Sequence, residues 1–134
     1  MPMSGPIVFV SHLRVRQGRL AEVESMSARV VDQIHAAKPQ TIAFLAYLSH
    51  DESMLTIVHV FADAQAMDLH LEGGDERSQA AYELVEQVGW EIYGEPSAEA
   101  MSTMRAGAAA TGAALTVEPI SLDGFLRQSG SGAR

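Results

Sequence analysis

Three runs of this chain are apolar on both faces of a strand, and that pattern constrains what the whole can become. Residues 7–15 (Ile-Val-Phe-Val-Ser-His-Leu-Arg-Val), Thr41 to Ser49 and Met54 to Phe61 are rich in β-branched and aromatic residues, and a Gly-Pro breaker precedes the first. Successive side chains of a strand point to opposite faces. Ile7, Phe9 and Leu13 therefore oppose Val8 and Val10, and Ala43, Leu45 and Tyr47 oppose Ile42, Phe44, Ala46 and Leu48. In the third run Met54, Val58 and Val60 oppose Leu55, Ile57 and Phe61. A sheet with helices on one face and water on the other alternates apolar with polar residues. These runs do not, so both faces need cover.

The segments between them read as helices. Leu20, Val23, Ser27, Val30, Val31, Ile34 and Ala37 fall on one helical stripe, and Pro39 ends it. His50-Asp51-Glu52-Ser53 joins the second and third strands as a hairpin. Asp63 is placed to cap a second helix through Met67 and Leu71. That helix breaks at Gly73-Gly74 and is predicted to restart after Asp75 as far as Val88, with Gly89 as its end. Trp90-Glu91-Ile92-Tyr93 is a fourth strand. The order β-α-β-β-α-β predicts an α+β, ferredoxin-like antiparallel sheet with two helices on one face. Ser97 caps a third helix that crosses Met101 and Met104 and fades between Ala106 and Ala114, and Leu115 to Glu118 forms one more short strand. Residues 1–127 thus read as a single domain, with a core at 7–97 and a C-terminal helix/strand extension at 98–127. The Gly/Ser-rich residues 128–134 read as a disordered tail.

Two helices cover one face of that sheet. The other would expose several large side chains, each worth roughly 1.5–3 kcal/mol when buried, a patch out of scale for a monomer. A homodimer packed sheet to sheet is the expected remedy. The alternative is that the C-terminal third folds over the open face.

Composition narrows the function. Seventeen acidic against nine basic residues give a formal net charge of −8, which repels phosphate backbones and anionic lipid, so neither nucleic acid nor membrane is an expected partner. Apolar runs such as Ile42 to Leu48 are far shorter than a membrane span, and Met1 to Pro6 lacks the pattern of a signal peptide, which makes the cytoplasm the expected location. The chain has no cysteine, which excludes disulfides, thiolate nucleophiles and thiolate-ligated metals. It also has no asparagine.

The element order, the two-sided apolar sheet and the stretch Phe61-Ala62-Asp63-Ala64-Gln65-Ala66-Met67-Asp68-Leu69-His70-Leu71 resemble the antibiotic biosynthesis monooxygenase (ABM) domain family of the dimeric α+β barrel superfamily. Trp90 to Ser97 is similar to the strand-to-helix junction of members with a C-terminal extension. The resemblance covers residues 7–97. It implies a pocket between sheet and helices in which some members oxidise polycyclic aromatic molecules with O₂ and no bound metal or flavin. Other members bind and degrade haem through an axial histidine helped by an asparagine and a tryptophan. His70 matches the helical histidine and Trp90 the tryptophan only loosely; the asparagine of both catalytic sets is missing here. The expected function is a monooxygenase-like protein without cofactor, acting on a small hydrophobic or aromatic molecule. The alternatives are a non-catalytic dimeric binding or accessory protein of the same fold and, less well matched, a haem binder.

Five residues, and Arg14 beside them, are candidates for the site. His59 interrupts the apolar third strand, where a half-buried imidazole either takes a proton from an acidic phenol or enol or is a core histidine satisfied by one partner. His70 either reaches the pocket as base or ligand or faces solvent at the helix boundary. His12 is expected opposite His59 on one face, placed to touch a ligand; no third ligand at metal spacing accompanies the pair, so no metal is expected. Tyr47 offers an O–H to a ligand or packs as a core aromatic. Trp90 either stacks on a flat ligand or packs at the sheet end. Arg14, near His12, is placed either to neutralise an anion or to lie at the surface.

Overall fold

The three apolar runs pair as expected, and a fourth and fifth strand extend them. A computed structural model describes residues 5–127; the tail expected at 128–134 lies outside them. In chain order the elements are β1 (Ile7–Val15), α1 (Leu20–Ala37), β2 (Thr41–Leu48), β3 (Met54–Phe61), α2 (Ala64–Leu71), α3 (Gly74–Ala81), β4 (Val85–Tyr93), α4 (Ala98–Thr111) and β5 (Ala114–Glu118). The strands form one sheet in the order β2-β3-β1-β4-β5. The first four are mutually antiparallel, and β5 adds parallel to β4. This is the α+β, ferredoxin-like arrangement read from the sequence, with the extension contributing a helix and an edge strand. The sheet is open, with β2 and β5 at its edges.

Local chemistry fixes the joints. In the hairpin, Asp51 Oδ1 accepts from the hydroxyls of Ser49 and Ser53, both at 2.7 Å, and from the Ser53 N–H at 3.1 Å. Those donors hold its carboxyl down at about 2. Asp63 caps α2 by accepting from the Ala66 N–H at 2.8 Å, and Ser97 caps α4 by accepting from the Ala100 N–H at 3.0 Å. Gly73 takes φ +78°, the left-handed conformation that ends α2, and α3 starts directly behind it.

Two boundaries differ from expectation. The helix after the glycine pair stops at Ala81, seven residues before Val88, and Gly89 lies within β4 instead of ending a helix. The segment from Val85 to Gln87 alternates buried, exposed, buried, and β1 offers a ladder for its whole length, so a period of two outweighs local helix propensity. At the other end α4 continues past Ala106 and Gly107 to Thr111, where Gly112 at φ +75° closes it.

The helices share one face of the sheet. Met101, Met104 and Ala108 of α4 join Ile7, Phe9, Phe61, Met67, Trp90 and Ile92 in one core cluster; Val23 and Met26 of α1 join Leu13, Leu55, Leu84 and Val85 in another. The extension therefore enters the helical layer and does not fold over the opposite face. On that open face Leu45 and Tyr47 are 46% and 57% exposed.

Candidate functional site

A cavity of about 760 Å³ lies between the sheet and its helices. Its floor is made of inward positions: Phe9 and Ser11 of β1, Phe44 of β2, Leu55, Ile57 and His59 of β3, and Gln87 and Trp90 of β4. Met26 and Val30 of α1, His70 of α2, Arg77 of α3 and Tyr82 just after it, and Met104 and Gly107 of α4 form its walls. Strand register explains the aromatic floor, since Phe9 and Phe44 sit on either side of His59 in the ladder. A second hollow of about 620 Å³ lies at one end of the sheet around Arg14, Arg16, Asp51 and Glu86. Its arginines are already engaged: Arg14 donates to Glu86 at 3.2 Å, and Arg16 donates to the Tyr82 carbonyl at 3.0 and 2.9 Å.

His59 is 6% exposed and stacks on Phe9, with ring centroids 4.6 Å apart, while Phe44 meets it edge-on at 4.9 Å. Its Nδ1–H donates to the Phe9 carbonyl at 2.9 Å. A carbonyl only accepts, so the tautomer is fixed and the lone pair sits on Nε2. Burial, together with the Arg77 charge, drives the imidazole down to about 4, against the opposing pull of the Phe9 carbonyl. His70 stands 5.1 Å away, ring centroid to ring centroid and nearly perpendicular. Its Nδ1 lies 2.8 Å from the Thr41 hydroxyl. Burial first, then the neighbouring His59, Arg77 and Lys38, push it to about 3. Both imidazoles are therefore neutral at pH 7.

Arg77 was not singled out from the sequence. Its guanidinium donates to the His70 carbonyl at 2.8 Å and to the Glu72 carbonyl at 3.3 Å, while Lys38 donates to Leu69 and Glu72 carbonyls at 2.7 and 3.1 Å. The two cations satisfy the carbonyls freed where Gly73 ends α2, as helix C-termini favour. Burial lowers the Arg77 pKa from its usual value. The signal was available: an arginine four residues past a helix-ending glycine meets that helix's terminal carbonyls.

Trp90 lines the cavity at 8% exposure, and its indole N–H donates to Ser11 Oγ at 3.2 Å. Ser11 in turn donates to Gln87 Oε1 at 3.3 Å, and Gln87 Nε2 reaches the Gly89 and His12 carbonyls at 2.9 and 3.3 Å. Ser11 and Gln87 were also missed; each is a polar residue at an inward position, visible only once the register and the irregularity in β4 beside Gln87 are known.

His12 and Tyr47 require correction. His12 pairs with Thr56 and not with His59, and Tyr47 pairs with the same Thr56, which puts both on the open face, away from the cavity. The expected juxtaposition failed because Phe9 is the residue opposite His59, and Phe9 and His12 differ by an odd number of positions. On the open face His12 Nε2 bonds Glu91 at 2.7 Å and its Nδ1 lies 3.2 Å from Thr56 Oγ1, while the Tyr93 hydroxyl donates to Glu91 at 2.7 Å. Among the described residues no group of three or more histidines, cysteines or carboxylates is arranged to hold a metal ion. Among them too, no helix is long and apolar enough to cross a membrane.

Sheet, helical layer and cavity together define an ABM-like, ferredoxin-like fold, and solved structures agree. MupZ from Pseudomonas fluorescens superposes with a TM-score of 0.71 at 17% identity, over 95% of this chain and 93% of that one. SnoaB, a cofactor-independent oxygenase from Streptomyces nogalater, gives 0.58 at 21% identity, over 70% of this chain and 96% of its own. A candidate antibiotic biosynthesis monooxygenase from Bacteroides thetaiotaomicron gives 0.55 at 16%, over 66% and 85%. The likeness to MupZ takes in the C-terminal extension; the other two match a length close to that of the core. No family model and no curated protein matches the sequence. At these identities the likeness establishes the fold.

Proposed function

We propose that the cavity binds a small, flat, weakly acidic aromatic molecule, and that His59 takes a proton from it to start a monooxygenation that needs no metal or flavin. The observation carrying this reading is a neutral, buried imidazole of fixed tautomer, stacked on one aromatic ring and met edge-on by another, in a cavity large enough for a small ligand. The substrate O–H proton passes to His59 Nε2. The resulting anion is electron-rich enough to reduce O₂, and a ring CH₂ becomes C=O while the second oxygen leaves as water. An imidazole held near 4 is a weak base, so the substrate must be acidic and its anion stabilised. Arg77, a cation lining the same cavity, supplies that stabilisation. His70 shapes the wall beside His59, and Trp90, steadied by Ser11, offers a flat surface. SnoaB, with the same fold, is a cofactor-independent oxygenase, which supports the reaction class.

A non-catalytic binding protein is the second reading, favoured by the absence of asparagine from the whole chain. Haem fits less well. A porphyrin has to lie flat over the coordinating nitrogen, and His70 is crowded by the rings of His59 and Phe61 at 5.1 Å and Phe44 at 6.0 Å. The reading includes a homodimer, because the open face carries Val8, Val10, Leu45, Val58 and Val60 with no described helix over it.

Anthrone, a tricyclic ketone in equilibrium with its enol, is the probe. Trp90 is the chain's one tryptophan and lines the cavity, so binding should quench its fluorescence. Oxygen uptake that His59→Gln reduces at least 100-fold, with quenching retained, is the expected result. Quenching without uptake in the unaltered protein would favour the binding reading. Absence of quenching would remove the proposed ligand class.

A further inference from the structure

Among the described residues, the large hydrophobic side chains left exposed fall into two groups. Ile42, Leu45 and Tyr47 belong to β2, at 39%, 46% and 57% exposure; Ile120, Leu122 and Phe125 belong to the segment after β5, at 85%, 94% and 81%. That segment, residues 119–127, has neither helix nor strand. It leaves β5 at Glu118, opposite Tyr93 at the terminus of β4, and so runs off the end of the sheet. β2 and β5 are the two opposite edges of the sheet. Four strand spacings of about 4.8 Å separate them.

We propose that residues 119–127 of one subunit lie along the β2 edge of a second copy of this chain, with Ile120, Leu122 and Phe125 covering Leu45 and Tyr47. The inference rests on the homodimer proposed above and adds an exchanged arm to it. Two sheets packed face to face about a two-fold axis that runs along the strands place each β5 edge over the partner's β2 edge. The two exposed groups, remote within one chain, then become neighbours across the interface. Both arms engage at once, because the contact is repeated by the two-fold axis. Glu118 is level with Ala43, near the start of β2, through the pairings of Tyr93, Val8 and Val60. Residues 119–121 therefore cross to the second sheet and turn back, and residues 122–127 then span roughly 20 Å, enough to pass Leu45 and Tyr47. β2 has a strand on one side only, so its outer edge also presents free backbone N–H and C=O groups, the kind of edge to which an extended segment adds. The area is adequate as well. Five strands of about eight residues give a face on the order of 600 Å², close to the roughly 800 Å² per partner of a stable interface once the arm is included.

The chain has no cysteine, so a paired substitution reports this contact directly. Leu45→Cys with Leu122→Cys, in the full-length protein, is oxidised and run on a non-reducing gel beside each single variant, with sedimentation velocity in parallel. The expected result is a covalent dimer that forms at least tenfold faster than in either single variant. A covalently closed monomer would overturn the proposal by showing that the arm folds back on its own sheet. Free thiols in a protein that sediments as a dimer would overturn the arm and leave the dimer standing. Free thiols in a monomer would overturn both.

Discussion

His59 and His70 illustrate how burial sets the chemistry of a side chain. Each is held well below the ordinary histidine value, at about 4 and about 3, with desolvation the largest cause. In the unfolded chain both titrate near 6.5. Between about pH 6.5 and 4 the unfolded state therefore binds protons that the folded state refuses, and stability falls as pH falls through that window. The loss amounts to about 1.4 kcal/mol per pH unit for each group. Asp51, whose carboxyl is held at about 2, adds its own loss as pH falls from about 4 toward 2, below the interval between about pH 7 and 5 in which the histidines are tested. Urea midpoints measured at pH 7.0, 6.0 and 5.0 should fall steadily, and His59→Gln should remove about half of the slope. An unchanged slope would mean that His59 is hydrated in the folded protein. Of the residues that line the cavity, His59, His70 and Trp90 were legible in the sequence because each breaks a pattern: two histidines in apolar elements and the chain's one tryptophan. Arg77, Ser11 and Gln87 were not, since their roles depend on where α2 ends and on the register between β1 and β4.

At the scale of elements, α4 shows a helix shaped by what it covers. Its interior Gly107 costs helix propensity, about 1 kcal/mol relative to alanine. Yet a Cβ built there would sit 2.9 and 3.1 Å from two carbons of the Trp90 ring. That ring is tethered by its N–H bond to Ser11 and backed by core residues, so it can give way only toward the cavity it lines. Overpacking of this kind costs roughly 1–3 kcal/mol and outweighs the propensity gain. Gly107→Ala should therefore lower Tm by up to about 8 °C, and Trp90→Phe/Gly107→Ala should recover part of the loss relative to the sum of the single changes. Strict additivity would deny the contact. The same dependence on neighbours explains what sequence left unread among the elements. The existence and order of the strands came from two-sided apolar runs that admit few other foldings. The first half of β4 looked helical because Tyr82 to Val88 carries glutamates and a glutamine, and only the ladder with β1 makes it a strand. The capping residues Asp63 and Ser97 could be read directly, since their chemistry is local.

The whole molecule is dominated by the contrast between its two sheet faces. One is covered by helices through two core clusters around the cavity; the other presents valines, Leu45 and Tyr47 around a polar island of His12, Thr56, Glu91 and Tyr93. The island's hydrogen bonds are made within the chain, so burying it against a second copy leaves few unsatisfied groups. Val58 lies on this face in β3, paired with Val10 on one side and Leu45 on the other, near the middle of any face-to-face interface. Val58→Glu places a carboxylate there with no cation opposite it in the ladder. In a monomer that side chain would face water, and the change would cost no more than about 1 kcal/mol of strand preference. In a dimer two such carboxylates would be brought together out of water, a penalty of several kcal/mol. Sedimentation velocity at micromolar concentration should show the unaltered protein at twice its 14.4 kDa subunit mass and Val58→Glu as a monomer, an affinity loss of at least 100-fold. Circular dichroism should be the same for both. A Val58→Glu protein that still sediments as a dimer would place the interface elsewhere and leave the open face to some other occupant.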